Sequence, residues 1–253
     1  MAKTKDQPVV CIGGVSGGIG SSLAKILASR HWTVSGYCRH PEKAGSLDQA
    51  IDADNIFGAD ATDSGAVQQT FDKVVEKLGR VDAYVHCIGS VLLKAAHMIN
   101  DGEWSKTLRL NLDSAFYSLR SAVQQMQKQG GGSIVLVSSV AAQTGMPAHE
   151  AIGAAKGGIN GLVLSAAATY ANRGIRVNAV APGLVETGLS KPILGSEQAR
   201  NLSERMHPLG RIGKPEDVAH LIAYLVSEEA SWITGEIWSV DGGMAHVRQR
   251  PKG

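Results

Sequence analysis

A chain of 253 residues of which 43% are hydrophobic is long enough to bury one sizeable core and falls within the range of a single α/β domain. Its 25 basic and 23 acidic residues leave a formal charge of +2 and are spread along the chain. Neither nucleic acid nor a membrane surface is therefore an expected partner, and a small-molecule substrate is.

The first eight residues are polar and charged, without the apolar stretch of a secretory signal, and read as a flexible N-terminus. No later apolar run reaches the roughly eighteen residues of a membrane span, so a cytoplasmic protein is expected. Short apolar runs then alternate with segments of helical period, the pattern of a parallel sheet covered on both faces. Predicted strands are Val9 to Ile12, Thr33 to Tyr37, Ile56 to Gly58, Val81 to His86, Ser133 to Val137, Arg176 to Ala179 and Glu236 to Val240. A helix is predicted from Ser21 to Ser29. A longer one runs from Trp104 to Gln127, where Trp104, Leu108, Leu112, Ala115, Leu119, Val123 and Met126 mark one buried face and Gly130, Gly131 and Gly132 end it. No repeat or linker divides the chain, so residues 1–253 read as one domain. Cys11, Cys38 and Cys87 are too few and too scattered for a disulfide framework or a metal site, and read as buried, reduced thiols.

The chemistry-bearing motifs follow the same order. After the first strand comes Gly13-Gly14-Val15-Ser16-Gly17-Gly18-Ile19-Gly20, in which Gly14, Gly18 and Gly20 permit a tight turn, a close approach to a pyrophosphate and close helix packing. The second strand ends in Cys38-Arg39-His40, where a guanidinium suits a ribose 2'-phosphate better than the free hydroxyl that an acid would prefer. Asp60 follows the third strand and His86-Cys87-Ile88-Gly89 the fourth. Asn111 lies in the long helix, Ser139 after the fifth strand, and Lys156 at the end of His149-Glu150-Ala151-Ile152-Gly153-Ala154-Ala155-Lys156. Pro182-Gly183-Leu184-Val185-Glu186-Thr187 closes the sixth strand.

These features, in this order over almost the whole chain, resemble the short-chain dehydrogenase/reductase family. The resemblance implies a Rossmann-like doubly wound parallel sheet in a single domain. It implies a dinucleotide held by Gly14, Ser16, Gly18, Ile19, Gly20, Arg39, Asp60, Gly89, Lys156, Pro182, Gly183 and Thr187, with NADP favoured over NAD. It also implies a lid over residues 184–210 and a homotetramer or homodimer. Ser139, Lys156 and Asn111 fall on catalytic positions of the family, and Lys156 would bind the ribose hydroxyls. No metal is implied, and the basic tail within residues 246–253 receives no function.

The resemblance fails at one position. Where the family has Tyr-x-x-x-Lys, with tyrosine protonating the carbonyl oxygen as hydride arrives, this chain has Ile152. Loss of a positioned general acid costs two to four powers of ten in rate, about 3–5 kcal/mol. His149 precedes Lys156 by seven residues, the tyrosine-to-lysine spacing of the enoyl-thioester reductase branch, and histidine is a competent acid near neutral pH. It is thus a candidate donor, with a loop or cap role as the alternative. Glu150 reads as a first-turn acid favoured by the helix dipole. The expected activity is an NADP-dependent reduction of a carbonyl or activated alkene by a non-tyrosine donor. The alternative is an NADP(H)-binding protein with little turnover, acting as a sensor or through a partner.

Overall fold

Runs of β-branched residues too short for helices can be buried on both faces only if helices cover both sides of the sheet they form. That is the arrangement in the computed structural model, which describes residues 7–47 and 51–248. Residues 1–6 of the expected flexible N-terminus and 249–253 of the tail lie outside them. Seven strands, β1 Val9–Gly13, β2 Thr33–Cys38, β3 Ile56–Gly58, β4 Ala83–His86, β5 Gly132–Val137, β6 Ile175–Pro182 and β7 Ile237–Val240, lie in the order β3-β2-β1-β4-β5-β6-β7. Every neighbouring pair is parallel. The order reverses between β1 and β4, and the crevice beyond the carboxyl ends of these strands is where such sheets bind ligands.

The helices are α1 Gly18–Ser29, α2 Ser64–Leu78, α3 Asp101–Leu108, α4 Ser114–Gln129, α5 Glu150–Tyr170, α6 Glu197–Met206 and α7 Pro215–Val226. Because β4 alternates its side chains, Tyr84 joins the core under α2, α4 and α5, with Phe71, Leu119 and Ile159. Ala83 and Val85 join the opposite core under α1 and α7, with Leu23, Leu27 and Ile222. By length and composition, Glu150–Arg173 is the one stretch among the described residues that could cross a membrane. Here Ile159, Val163, Ala166 and Ala167 seat it against the sheet.

The predicted strands are all present, within one to three residues at their ends. The long helix from Trp104 is not continuous. A π-helical turn, Arg109–Asp113, separates α3 from α4. Each extra residue in such a turn advances the helix phase by about 100°, so the periodic stripe read across it breaks. Leu119, Val123 and Met126 are buried as expected, whereas Trp104 is 40% exposed and Thr107 is the buried residue of α3. Gly130 ends α4 with φ +90°, a backbone position that favours glycine. Gly132 already belongs to β5.

Candidate active site

The turn from β1 into α1 is held by its own backbone. Gly14, at φ +78°, donates its N–H to the Tyr37 carbonyl at 2.8 Å and accepts from Gly17 N–H at 2.9 Å. A Cβ on Gly20 would stand 2.3 Å from the Gly14 carbonyl oxygen, and one on Gly18 2.7 Å from Thr187 Cγ2. The glycine turn and the Pro-Gly loop after β6 are therefore packed against each other. Helix α1 has Gly17 at its N-cap, with no side-chain cap and no acid in its first turn. Its first N–H groups are thus left for an anion, with the positive end of the helix dipole behind them. Ser16 lies exposed on the rim of this turn.

At the end of β2, Arg39 is exposed and joins no ion pair among the described residues. Asp60 sits near enough to feel it. Its carboxyl is held below the usual range mainly by hydrogen bonds from Thr62, with Arg39 and Arg109 adding to the effect. Because Asp60 Oδ1 accepts both Thr62 N–H, at 2.9 Å, and Thr62 Oγ1, at 2.8 Å, that oxygen shapes its own turn. The uncapped helix, the glycine floor and the free guanidinium fit a phosphorylated dinucleotide.

Beyond this turn, a cavity of about 160 Å³ opens at the carboxyl ends of β4, β5 and β6. It is lined by Cys87, Gly89, Ser90, Asn111, Ser139, Ile152, Lys156, Pro182, Gly183 and Thr187, with Val91, Leu189 and Ile193 toward solvent. A larger cleft of about 730 Å³ lies around Trp32, Arg80, Gly131 and Trp232. It sits at the amino ends of the strands, away from the switch point and from every candidate site residue.

Within the cavity the polar groups are tied to one another. The π-helical turn buries Asn111, whose Oδ1 accepts Ser90 N–H at 3.0 Å while its Nδ2 donates to Ser90 Oγ and to the Thr107 carbonyl, both at 3.0 Å. A Cβ on Gly89 would stand 2.7 Å from Asn111 Oδ1 and 3.4 Å from Lys156 Nζ, so glycine there lets β4, the π turn and α5 converge. Lys156 is 6% exposed and donates to the Val137 carbonyl at 2.8 Å. No described carboxylate pairs with it, and burial pulls its pKa down to about 8.

The two serines after β5 divide their work. Ser138 is buried and donates to Asn160 Oδ1 at 2.6 Å, which fastens β5 to α5. Ser139 Oγ accepts from Ala141 N–H at 3.2 Å and keeps its hydroxyl proton for the cavity.

His86, at the end of β4, turns into the core. Its Nδ1 lies 2.7 Å from Tyr84 Oη and its Nε2 3.1 Å from Ser114 Oγ. Tyr84 meets Tyr37 at 2.9 Å, and Tyr37 meets Ser118 at 2.8 Å. Ser114 donates to the Leu110 carbonyl at 2.6 Å and Ser118 to the Ser114 carbonyl at 2.7 Å. This ring of contacts has one more link than its neutral members have protons. Protonating His86 would supply the last, yet burial, with the Lys156 charge adding to it, pushes the imidazole pKa down to about 3. Through Ser114 and Leu110, the network braces the π-helical turn that carries Asn111.

Ile152 falls where the resemblance puts it, whereas His149 and Cys87 differ from expectation. Ile152 is 4% exposed and lines the cavity, where it forms part of an apolar wall. His149 is not among the lining residues. It follows Ala148, whose φ of +60° is unusual for a residue with a Cβ, and its Nδ1 lies 2.8 Å from the Pro147 carbonyl. Cys87 is half-buried and lines the cavity rather than a closed core; burial pushes its thiol up to about 12. Glu150 accepts from Ala96 N–H at 3.3 Å in addition to its place in the first turn of α5.

Two residues of the substrate side were not singled out by the sequence. Ser190 Oγ donates to the Val185 carbonyl at 2.6 Å and accepts Thr187 N–H at 2.9 Å, fixing the loop that presents Thr187. His207, at the end of α6, accepts Leu184 N–H at Nε2 (3.1 Å), and its Nδ1 lies 2.7 Å from the Ser203 carbonyl. A Cβ on Gly183 would stand 2.7 Å from that Nε2, so the expected lid is pinned to the Pro-Gly turn by a histidine. The glycine of Pro-Gly was the available signal, because its small size implied a close neighbour.

Residues 14–245 match the family model described as enoyl-(acyl carrier protein) reductase. The chain is 35% identical over 242 residues to the 3-oxoacyl-[acyl-carrier-protein] reductase FabG of Thermotoga maritima, covering 93% of this chain and 97% of that protein. It is also 35% identical over 197 residues to 2-(S)-hydroxypropyl-CoM dehydrogenase 3 of Xanthobacter autotrophicus, covering 76% of each. Among solved structures, a short-chain type dehydrogenase/reductase from Mycobacterium ulcerans superimposes with a TM-score of 0.89 at 30% identity, over 96% of this chain and 91% of that one. ElxO with NADP bound does so with a TM-score of 0.87 at 30% identity, over 94% and 98%.

Proposed function

Since the chain belongs to the short-chain dehydrogenase/reductase family and is an oxidoreductase of that type, we propose that it uses NADP to reduce a carbonyl or an activated alkene without a tyrosine acid. The observation that carries this reading is the convergence of Asn111, Ser139 and Lys156 on one cavity beside the glycine turn and Thr187. A bound dihydronicotinamide would supply the hydride, which is the cofactor's own chemistry. Gly14, Ser16, Gly18, Ile19 and Gly20 would hold its phosphates, and Arg39 the 2'-phosphate. Gly89, Lys156, Pro182, Gly183 and Thr187 would surround its reactive end, and the exposed face of Asp60 would meet the adenine. Ser139 orients the substrate oxygen with its remaining hydroxyl proton, and the apolar wall of Ile152, Val91, Leu189 and Ile193 excludes water. The names of the relatives point to an acyl thioester as the substrate class, with the carbonyl in the 3-position.

A second reading, an NADP(H)-binding sensor or partner protein with little turnover, is favoured by Ile152, which puts a side chain incapable of proton transfer on the cavity wall. A cytoplasmic homotetramer or homodimer remains part of the proposal. The test is a paired titration with NADPH and NADH, followed by a panel of 3-oxoacyl and enoyl thioesters, ketones and quinones monitored for cofactor oxidation. NADPH is expected to bind at least tenfold more tightly, with turnover on a member of the panel. Arg39→Asp is expected to reverse the nucleotide preference by about tenfold or more. Tight binding without oxidation of NADPH selects the second reading.

A further inference from the structure

Any reduction of a carbonyl needs a proton for the oxygen as well as a hydride for the carbon, and Ile152 cannot give one. The donor must reach the cavity, so the lining residues limit the choice. Among them the titratable side chains are Cys87 and Lys156. We propose that Lys156 is the proton donor of this protein, its ammonium acting directly on the substrate oxygen in place of the absent tyrosine hydroxyl. This inference rests on the reductase reading of the preceding subsection.

The geometry makes the lysine available. Lys156 lies one helical turn beyond Ile152 on α5, and both line the same wall. An ammonium has three N–H groups, and the structure gives Nζ one acceptor, the Val137 carbonyl at 2.8 Å. Two N–H groups are left for the space between Gly89, Ser139 and Ile152, one for a ribose hydroxyl of the dinucleotide and one for the substrate oxygen. Isoleucine contributes no hydroxyl to compete for them.

The electrostatics make the lysine a willing donor. The titratable groups facing it come from the end of β4. Cys87 stays a neutral thiol, and His86 stays a neutral imidazole committed to Tyr84 and Ser114. The π-helical turn faces it with the Asn111 amide and the end of β5 with the Val137 carbonyl and Ser139. In the loop after β6, Thr187 lines the cavity while Glu186 turns outward to Arg200. At the start of α5, His149 and Glu150 are engaged with Pro147 and Ala96. A buried ammonium with no counter-charge is destabilised relative to the amine, and its pKa of about 8 lies close to working pH, where general acids are most effective. Cys87, pushed up to about 12, is a far weaker acid.

The proton balance is complete. As hydride from the dihydronicotinamide reaches the carbonyl carbon, the C=O π pair moves to oxygen and takes a proton from Nζ, so an N–H bond breaks and an O–H bond forms. Lysine is left as the neutral amine and regains its proton from solvent between turnovers. The product would be the alcohol, the two electrons coming with the hydride that a bound dihydronicotinamide would supply.

The experiment compares the wild type with Lys156→Arg, which keeps the charge but does not surrender its proton, and with His149→Ala. In wild type, kcat is expected to fall as pH rises through a midpoint near 8. Lys156→Arg is expected to lose at least a hundredfold in kcat with NADPH affinity changed less than tenfold. His149→Ala is expected to keep its rate within twofold. Independently of turnover, NMR titration of the lysine side chains in protein labelled with ¹³C-lysine, assigned by the signal lost in Lys156→Arg, is expected to show one lysine titrating well below the rest. An ordinary lysine midpoint near 10.4, or a Lys156→Arg variant that turns over like wild type, overturns the proposal. So does a hundredfold loss in His149→Ala, which transfers the role to His149. Absence of turnover in wild type across the panel overturns the reductase reading and the donor with it, whereas turnover that Lys156→Arg retains overturns the donor alone.

Discussion

The two ends of the crevice obey different constraints. At the glycine turn the backbone itself forms the site, and each contact leaves no room for a side chain. The Gly20 position lies 2.3 Å from the Gly14 carbonyl, and the Gly18 position 2.7 Å from Thr187. At the far end the site is made of side chains, and several are not those of the family pattern. Ile152 stands where the resemblance puts a tyrosine, and His86 turns from the end of β4 into the core. The fold absorbs these changes because His86 finds new partners in Tyr84 and Ser114. A backbone-built site tolerates no substitution, whereas a side-chain-built one can be rewired while its frame stands.

The comparison breaks first at Gly20. Gly20→Val is expected to lower NADPH affinity by more than a hundredfold or to prevent folding, as titration and thermal melting would register. Retained affinity would mean that the turn is not a cofactor floor. His86→Ala tests the rewired frame, because it opens a void and strands Tyr84 and Ser114. A loss of about 2–4 kcal/mol in unfolding free energy is expected from the cavity and the unpaired hydroxyls. The same residue sets a pH dependence. Its folded pKa of about 3 lies below the ordinary 6.5, so the unfolded chain takes up the proton first. Its contribution is therefore full above pH 6.5, is lost as pH falls toward 3, and should disappear from the denaturation profile of the variant.

Ile152→Tyr sharpens the contrast at the substrate end. If the frame has kept its geometry, restoring the hydroxyl should raise ketone reduction tenfold or more; no gain would mean that the cavity has diverged beyond this residue. The smallest effect is expected of His149→Ala, whose ring is occupied with the Pro147 carbonyl. Its turnover should remain within twofold of wild type in steady-state assays.

Most of the frame was legible because parallel strands and their glycine turns depend on local pattern. The runs from Val9, Thr33 and Ser133 read as strands, and each appears. What escaped the sequence was long-range. The π-helical turn at Arg109–Asp113 is invisible to a period of three and four residues, since the periodic stripe resumes at Ala115 on its far side and runs to Met126. The Tyr37–Tyr84–His86–Ser114 network joins residues from three separate segments. His207 reaches the Pro-Gly turn from the end of α6, 23 residues beyond its partner Leu184. His149 attracted attention by its spacing to Lys156, but spacing along a helix says nothing of where a ring at its N-cap finds its hydrogen bond.

The most direct test of reduction by this site is a single-turnover reaction of the enzyme with NADPH deuterated at the transferring position of C4 and a 3-oxoacyl thioester, with the product examined by mass spectrometry. One deuterium on the former carbonyl carbon is the predicted result. Tight NADPH binding with unlabelled, unreduced thioester recovered in full would contradict it.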